Sequence, residues 1–129
     1  MRELSDVAVQ RVTAAVLKGE RRQAFMTVTF LGPTRMRALN RAHLGHDQTT
    51  DVISFALPAP DGALVGDVYV CRAVAATQAK ALGVPLREEL VRLVVHGTLH
   101  VLGYDHPAGE GRTRSAMWRR QERYVKRLA

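Results

Sequence analysis

The chain has 129 residues, of which 19 are lysine or arginine and 12 are aspartate or glutamate, giving a formal net charge of +7. This length suits one domain, residues 1–129, and no stretch approaches the about 20 consecutive apolar residues of a membrane span. The single cysteine excludes an internal disulfide and favours a reducing compartment, so we expect a cytoplasmic protein whose basic surface attracts polyanions.

The first third of the chain is predicted to form two helices with a strand between them. Apolar residues at helical spacing indicate a helix from Ser5 to Leu17, and the β-branched and aromatic segment Ala24–Leu31 is typical of a strand. Gly32-Pro33 then interrupts the chain. Thr34 is the candidate N-cap of a second helix, which is expected to reach about His43.

The remaining elements predict a hairpin followed by three helices. Strands are expected over Asp51–Leu57 and Leu64–Val70, and the turn signal Asp61-Gly62 between them favours pairing as a hairpin. The predicted helices are Cys71–Leu82, Arg87–Leu102 and about Arg112–Leu128. The expected fold is therefore α+β, with a small mixed sheet of about three or four strands flanked by about five helices.

The segment from His96 to His106 predicts a metal site. His96 and His100 lie four residues apart and share one face of the predicted helix. Gly103 can adopt the left-handed conformation that ends a helix, so that the chain can return His106 toward the first two. Three imidazoles arranged in this way leave one position of a zinc ion open, as in catalytic rather than structural sites. We therefore predict one Zn²⁺ per chain, bound by His96, His100 and His106.

The same segment lacks the general base of a protease. Its spacing, His-x3-His-x2-Gly-x2-His, is that of the metzincin proteases, but Gly97 stands where those enzymes carry a glutamate. The zinc-site helix is thus metalloprotease-like without the usual peptidase base. Zinc-bound hydroxide is one alternative acceptor for the proton, and the carboxylates of Asp67 and Asp105 are the candidate catalytic side chains.

Three segments resemble the YbeY family of bacterial endoribonucleases. His96–His106 reads His-Gly-Thr-Leu-His-Val-Leu-Gly-Tyr-Asp-His and differs from the family motif only at Val101, where the family has leucine. Thr50–Phe55 and Val65–Val68 resemble the family's Thr-Asp-Val-Leu-Ser-Phe and Leu-Gly-Asp-Ile strands. The resemblance implies a zinc-dependent single-strand endoribonuclease in rRNA processing, rRNA maturation and ribosome quality control. Its implied partners are ribosomal RNA and the small ribosomal subunit, with no DNA and no membrane.

The resemblance also implies an arginine shortly before the Thr-Asp-Val strand, and Leu44 occupies that position here. Neighbouring basic residues are the candidates to replace this arginine, and the Arg-rich C-terminal segment supplies further cations for phosphate. The residues predicted to bind RNA are Arg41, His43, His46, Ser54, Arg112 and Arg114.

Two other functions stay open on the sequence alone. One is a ribosome-associated RNA-binding factor with a structural metal, in which Cys71 or an aspartate closes the site as a fourth ligand. Leu44 favours this alternative. The other is a metallopeptidase, which Gly97 argues against.

Overall fold

The computed structural model describes residues 3–105 and 115–129. In these ranges five helices surround a three-stranded sheet, which confirms the expected α+β fold. No helix among them is long and apolar enough to cross a membrane. The elements are α1 Asp6–Glu20, β1 Phe25–Leu31, α2 Pro33–Leu44, β2 Val52–Pro58, β3 Leu64–Cys71, α3 Arg72–Leu82, α4 Leu86–Val101 and α5 Ala116–Leu128.

The sheet has the order β1-β3-β2 and is mixed, as predicted. β3 pairs in parallel with β1 and antiparallel with β2, so the predicted hairpin of β2 and β3 is confirmed. Gly62 in the connecting turn has a φ of +86°, a conformation that glycine adopts without steric cost. β2 is consequently an edge strand, and its outer edge is available to form the wall of a cleft.

The prediction that Thr34 caps α2 is wrong. The N-cap is Gly32, and Pro33 lies in the first turn of the helix. Proline has its φ fixed near the helical value and lacks only an N–H that would be unpaired there in any case, so the helix begins one residue before Thr34. At the other end of the chain, Ser115 caps α5 by accepting a hydrogen bond from the Trp118 backbone N–H at 3.0 Å.

Helix α4 packs closely against one face of the sheet because a glycine lies at two of the contacts: Gly97 on α4 faces β3, and Gly66 on β3 faces α4. A Cβ atom at Gly97 would come within 2.5 Å of Val68 Cγ1, and one at Gly66 would come within 2.6 Å of Val101 Cγ1. Any larger side chain at either position would therefore push the helix away from the sheet. This packing builds the main core and holds one face of α4 beside β2.

The opposite face of the sheet carries a smaller core under α2. Met36, Ile53 and Cys71 are buried there together. Because side chains alternate along a strand, and Gly66 and Val68 face α4, the side chain of Asp67 belongs to this opposite face.

Candidate metal site

His96 and His100 lie side by side on α4, as the sequence predicted. Their ring centroids are 4.6 Å apart and the ring planes are inclined by 73°. Both imidazoles line a cleft of about 320 Å³ whose other wall is formed by β2 and the chain just before it. The remaining lining residues are Leu44, Thr50, Asp51, Val52, Ile53 and Ser54.

The third predicted ligand, His106, lies outside the described residues. Within residues 3–105 and 115–129, no group of three or more histidine, cysteine, aspartate or glutamate side chains is arranged to hold a metal ion. Two adjacent imidazoles on one helix face nevertheless form a donor pair that zinc and similar divalent metals accept. The described residues therefore fit two positions of a metal site.

His96 is held in place by a residue that the sequence did not indicate. Its Nδ1 lies 2.6 Å from Oε1 of Gln121 on α5, and both side chains are buried. Gln121 in turn donates a hydrogen bond from Nε2 to Glu122 at 3.0 Å. A buried polar residue on the apolar side of a helix is the only signal of this contact in the sequence, and it does not identify the partner.

Arg92 organises the carboxylates on this side of α4. Its guanidinium donates to both oxygens of Glu122 at 2.9 Å, to Glu89 at 2.8 Å and to Glu88 at 3.0 Å. Burial raises the pKa of Glu89 and exceeds the opposing effect of Arg92. For Glu122, burial is outweighed by hydrogen bonds from Arg92 and Gln121, so its pKa is lowered and it stays ionised at neutral pH.

The structure explains why no glutamate follows the first histidine. Position 97 faces the sheet, where a Cβ atom would lie 2.5 Å from Val68 Cγ1 and 3.0 Å from Ser54 Oγ. A glutamate at position 97 would therefore collide with β2 and β3.

The two predicted catalytic carboxylates are not among the residues that line the cleft. Asp67 belongs to the sheet face that points away from α4, and Asp105 is exposed beyond the end of that helix. The structure instead brings Asp51 into the cleft. Its Oδ1 accepts the Val52 backbone N–H at 2.8 Å and its Oδ2 accepts from Gln78 at 3.1 Å, so this carboxylate braces the start of β2.

Of the residues predicted to bind RNA, Ser54 lines the cleft. Arg41, His43 and His46 are exposed but are absent from the cleft lining. Arg41 lies 3.8 Å from Asp47, whereas the His43 ring packs edge-on against Phe55 with the centroids 5.3 Å apart. The two remaining predicted residues, Arg112 and Arg114, lie outside the described ranges.

Two further positions bear on the alternatives left open by the sequence. Leu44 lines the cleft with its side chain 51% exposed, at the place where the resemblance implies an arginine. Cys71 is buried in the small core under α2 and is not among the cleft residues, so the structure does not bring it to the histidines as a fourth ligand.

The chain is similar along nearly its whole length to a known family. The family model described as Endoribonuclease YbeY matches residues 2–129. A relative of that name from Chlorobium luteolum is 34% identical over 128 residues, which cover 98% of this chain and 91% of the relative.

Other relatives match over a shorter region. The Endoribonuclease YbeY of Chromohalobacter salexigens is 44% identical over 84 residues, covering 63% of this chain and 54% of the relative. That of a Sulfurihydrogenibium species is 42% identical over 88 residues, covering 66% and 58%. The chain thus spans little more than half the length of these two relatives.

A solved structure shows the same fold. The solution structure of a Thermotoga maritima protein superposes with a TM-score of 0.65 and 28% sequence identity, over 93% of this chain and 78% of that protein.

Proposed function

The chain belongs to the YbeY endoribonuclease family, and from that membership we propose that it is a zinc-dependent endoribonuclease that cleaves single-stranded ribosomal RNA. The proposal includes the role that the family resemblance implies, in rRNA processing, rRNA maturation and ribosome quality control in the cytoplasm, with the small ribosomal subunit as partner. The observation that carries it is the pair His96 and His100 in a cleft whose opposite wall is an edge strand.

In this proposal His96, His100 and His106 hold the zinc ion. When bound, the ion supplies Lewis-acid stabilisation of negative charge on the phosphate oxygens of the RNA. Ser54, in the facing wall, has a hydroxyl that can donate a hydrogen bond to the same phosphate. The net charge of +7 draws the polyanionic substrate to the surface before binding.

We propose that the group that accepts the proton of the attacking hydroxyl is not one of the described side chains that line the cleft. Among the lining residues within 3–105 and 115–129, Asp51 is the only carboxylate, and both of its oxygens accept hydrogen bonds that brace β2. The 2′-hydroxyl of RNA is then the attacking group we favour, because an internal nucleophile is already positioned next to the phosphorus.

Leu44 is the observation that favours a second candidate, an RNA-binding factor whose metal is structural. An apolar side chain in the cleft wall gives no charge-assisted hydrogen bond to phosphate, whereas an arginine there would. A peptidase receives no such support, since the position of its general base is filled by Val68 and Ser54.

The function is tested with single-stranded RNA and with the same strand carrying 2′-deoxyribose at each cleaved position. We expect the zinc-loaded chain to cleave the RNA only, and His100→Ala to lose both bound zinc and cleavage while keeping its circular dichroism spectrum. Thr98→Val is the control on the same helix, because Thr98 is buried and its hydroxyl donates to the Val94 carbonyl within α4. Undiminished cleavage by a zinc-free preparation would contradict the proposal.

A further inference from the structure

A relay of hydrogen bonds, partly buried at Arg92 and Glu122 and buried at Gln121 and His96, connects Arg92 to His96. Arg92 donates to both oxygens of Glu122, Glu122 accepts from Gln121, and Gln121 contacts the imidazole of His96. Gln121 is 1% exposed and His96 is 6% exposed, so water cannot replace either side chain as the hydrogen-bond partner of the other. Each hydrogen bond in the relay has a donor and an acceptor, and the donor at Arg92 determines which atom donates at each following bond, as far as His96.

The orientation of the Gln121 amide follows from Glu122. A carboxylate that pairs with an arginine can only accept hydrogen bonds, so the Gln121 atom 3.0 Å from Glu122 must be the donor, Nε2. The reverse orientation would bring Oε1 against a carboxylate oxygen, two acceptors with no proton between them. Oε1 of Gln121 is therefore the atom that faces His96 at 2.6 Å.

The position of the proton on His96 follows in turn. Because Oε1 can only accept, Nδ1 of His96 must carry a hydrogen and donate it. In the neutral ring, which is the form that binds a metal, the other nitrogen, Nε2, then carries the lone pair. We propose that Gln121 is a positioning residue that holds the His96 proton on Nδ1, so that Nε2 is the nitrogen with which His96 binds a metal.

This inference rests on the proposed function only in its last step, the identity of the bound metal. Nitrogen ligands of zinc generally donate their second ring N–H to a carboxylate, a carbonyl or water, which fixes the tautomer and the ring orientation. Here a side-chain amide on a different helix has that role, and Arg92 orients the amide through Glu122. The relay thereby makes the ligand geometry on α4 dependent on the docking of α5.

The test measures the tautomer of His96 directly by ¹⁵N NMR of the full chain with labelled histidine, without zinc and with one equivalent of zinc. We expect wild type to carry the proton on Nδ1 in both conditions. Gln121→Met keeps the size of the side chain but has no acceptor, so we expect mixed tautomers without zinc and zinc affinity lower by about 10- to 100-fold.

Gln121→Glu separates positioning from packing. It retains an acceptor for the Nδ1 proton but places a second carboxylate beside Glu122, so we expect a lower melting temperature with the tautomer and the zinc affinity preserved. The control is Thr98→Val, which loses a buried hydrogen bond elsewhere on α4 and should change neither the tautomer nor the zinc affinity. A purely structural role for Gln121 predicts instead that zinc affinity falls with melting temperature in all three variants.

Two results would overturn the inference: a wild-type His96 with its proton on Nε2 in the zinc-free chain, or equal loss of zinc affinity in Gln121→Glu and Gln121→Met. If the tautomer responds to Gln121→Met as expected but none of the proteins binds zinc, positioning by Gln121 is supported and it is the proposed zinc function that fails.

Discussion

In the part of the chain that the structure describes, two polar networks of different charge balance join helix α5 to the rest of the molecule. In the histidine network, which consists of Glu88, Glu89, Arg92, His96, Gln121 and Glu122, one guanidinium serves three carboxylates. In the turn network, which consists of Glu20, Tyr104, Arg120 and Tyr124, three donors converge on one carboxylate. The first network depends on a single cation, whereas the second depends on a single anion.

The networks also end in different places. The histidine network reaches the cleft at His96. The turn network holds the end of α1 against α5 and against the turn that follows α4, with Tyr104 and Tyr124 each donating to Glu20 at 2.6 Å. Gly19 allows this approach, because a Cβ atom there would collide with the Tyr124 ring. Similar hydrogen bonds can thus either position a side chain of the candidate metal site or hold two elements of the fold together, and substitutions distinguish the two roles.

Arg92→Met should have the largest effect, because it leaves three neighbouring carboxylates without their cation. The Glu89 side chain is only 5% exposed, and removing one partner of a buried pair costs about 3–5 kcal/mol of unfolding free energy. Urea unfolding measures the loss. We also expect weaker zinc binding, since Glu122 no longer orients Gln121.

Arg87→Met is the matched control for that variant. Arg87 lies on the same helix, is exposed, and donates to the backbone carbonyl of Glu3 at 3.2 Å. Its replacement should cost less than about 0.5 kcal/mol, as is usual for surface substitutions. Equal destabilisation by both variants would show that the three carboxylates do not depend on Arg92.

Glu20→Gln should have the next largest effect and leave zinc binding unchanged. It keeps the shape of the side chain but removes the charge that three donors share, and we expect a loss of about 2 kcal/mol at pH 7. Retained zinc affinity in this variant would sharpen the comparison, since it would confine the turn network to stability.

The pH dependence of the unfolding free energy of Glu20→Gln tests whether the charge of Glu20 causes the loss of stability. Burial raises the pKa of Glu20, but hydrogen bonds from Tyr104, Tyr124 and Arg120 outweigh it and hold the pKa below its ordinary value of 4.5. A lowered folded-state pKa contributes stability that is present above the unfolded-state pKa and is lost as the pH falls through the folded-state value. The gap between wild type and Glu20→Gln should therefore narrow below about pH 4.5; a constant gap would rule out the charge as its source.

Tyr124→Phe should have a smaller effect, about 1.5 kcal/mol, because it removes one of the three donors to Glu20. Burial and the hydrogen bond to Glu20 raise the pKa of Tyr124 from 10.0 to about 12. A raised folded-state pKa gives stability that is complete below pH 10 and is lost as the pH rises toward 12. The gap between wild type and variant should close across that interval in urea unfolding. Phenolate absorbance should show one late-ionising tyrosine fewer in the variant, because Tyr104, whose pKa the hydrogen bond to Glu20 also raises, is present in both proteins.

The sequence predicted the elements and the histidine pair because both are local. Helical spacing alone places His96 and His100 on one face, and the turn at Asp61-Gly62 alone predicts the hairpin. Gln121 could not be found in this way, since it lies 25 residues from His96 and only the docking of α5 brings the two together. The strand pattern likewise predicts that the side chains of Asp67 and its two neighbours point to opposite faces of the sheet, but it does not predict which face is covered by α4.

Leu44→Arg should have the smallest effect on stability and the clearest effect on RNA. Leu44 is 51% exposed and belongs to neither network, so the unfolding free energy should change by less than about 0.5 kcal/mol. A guanidinium in the cleft adds one phosphate contact, which should tighten RNA binding and steepen its salt dependence by about 0.7 in log–log slope. Leu57→Arg is the control, because Leu57 is 59% exposed near the other end of β2 and is not a cleft residue. If both variants bind RNA equally well, the gain comes from net charge alone; if only Leu44→Arg gains, phosphate is bound in the cleft beside His96 and His100, independently of the network that orients them.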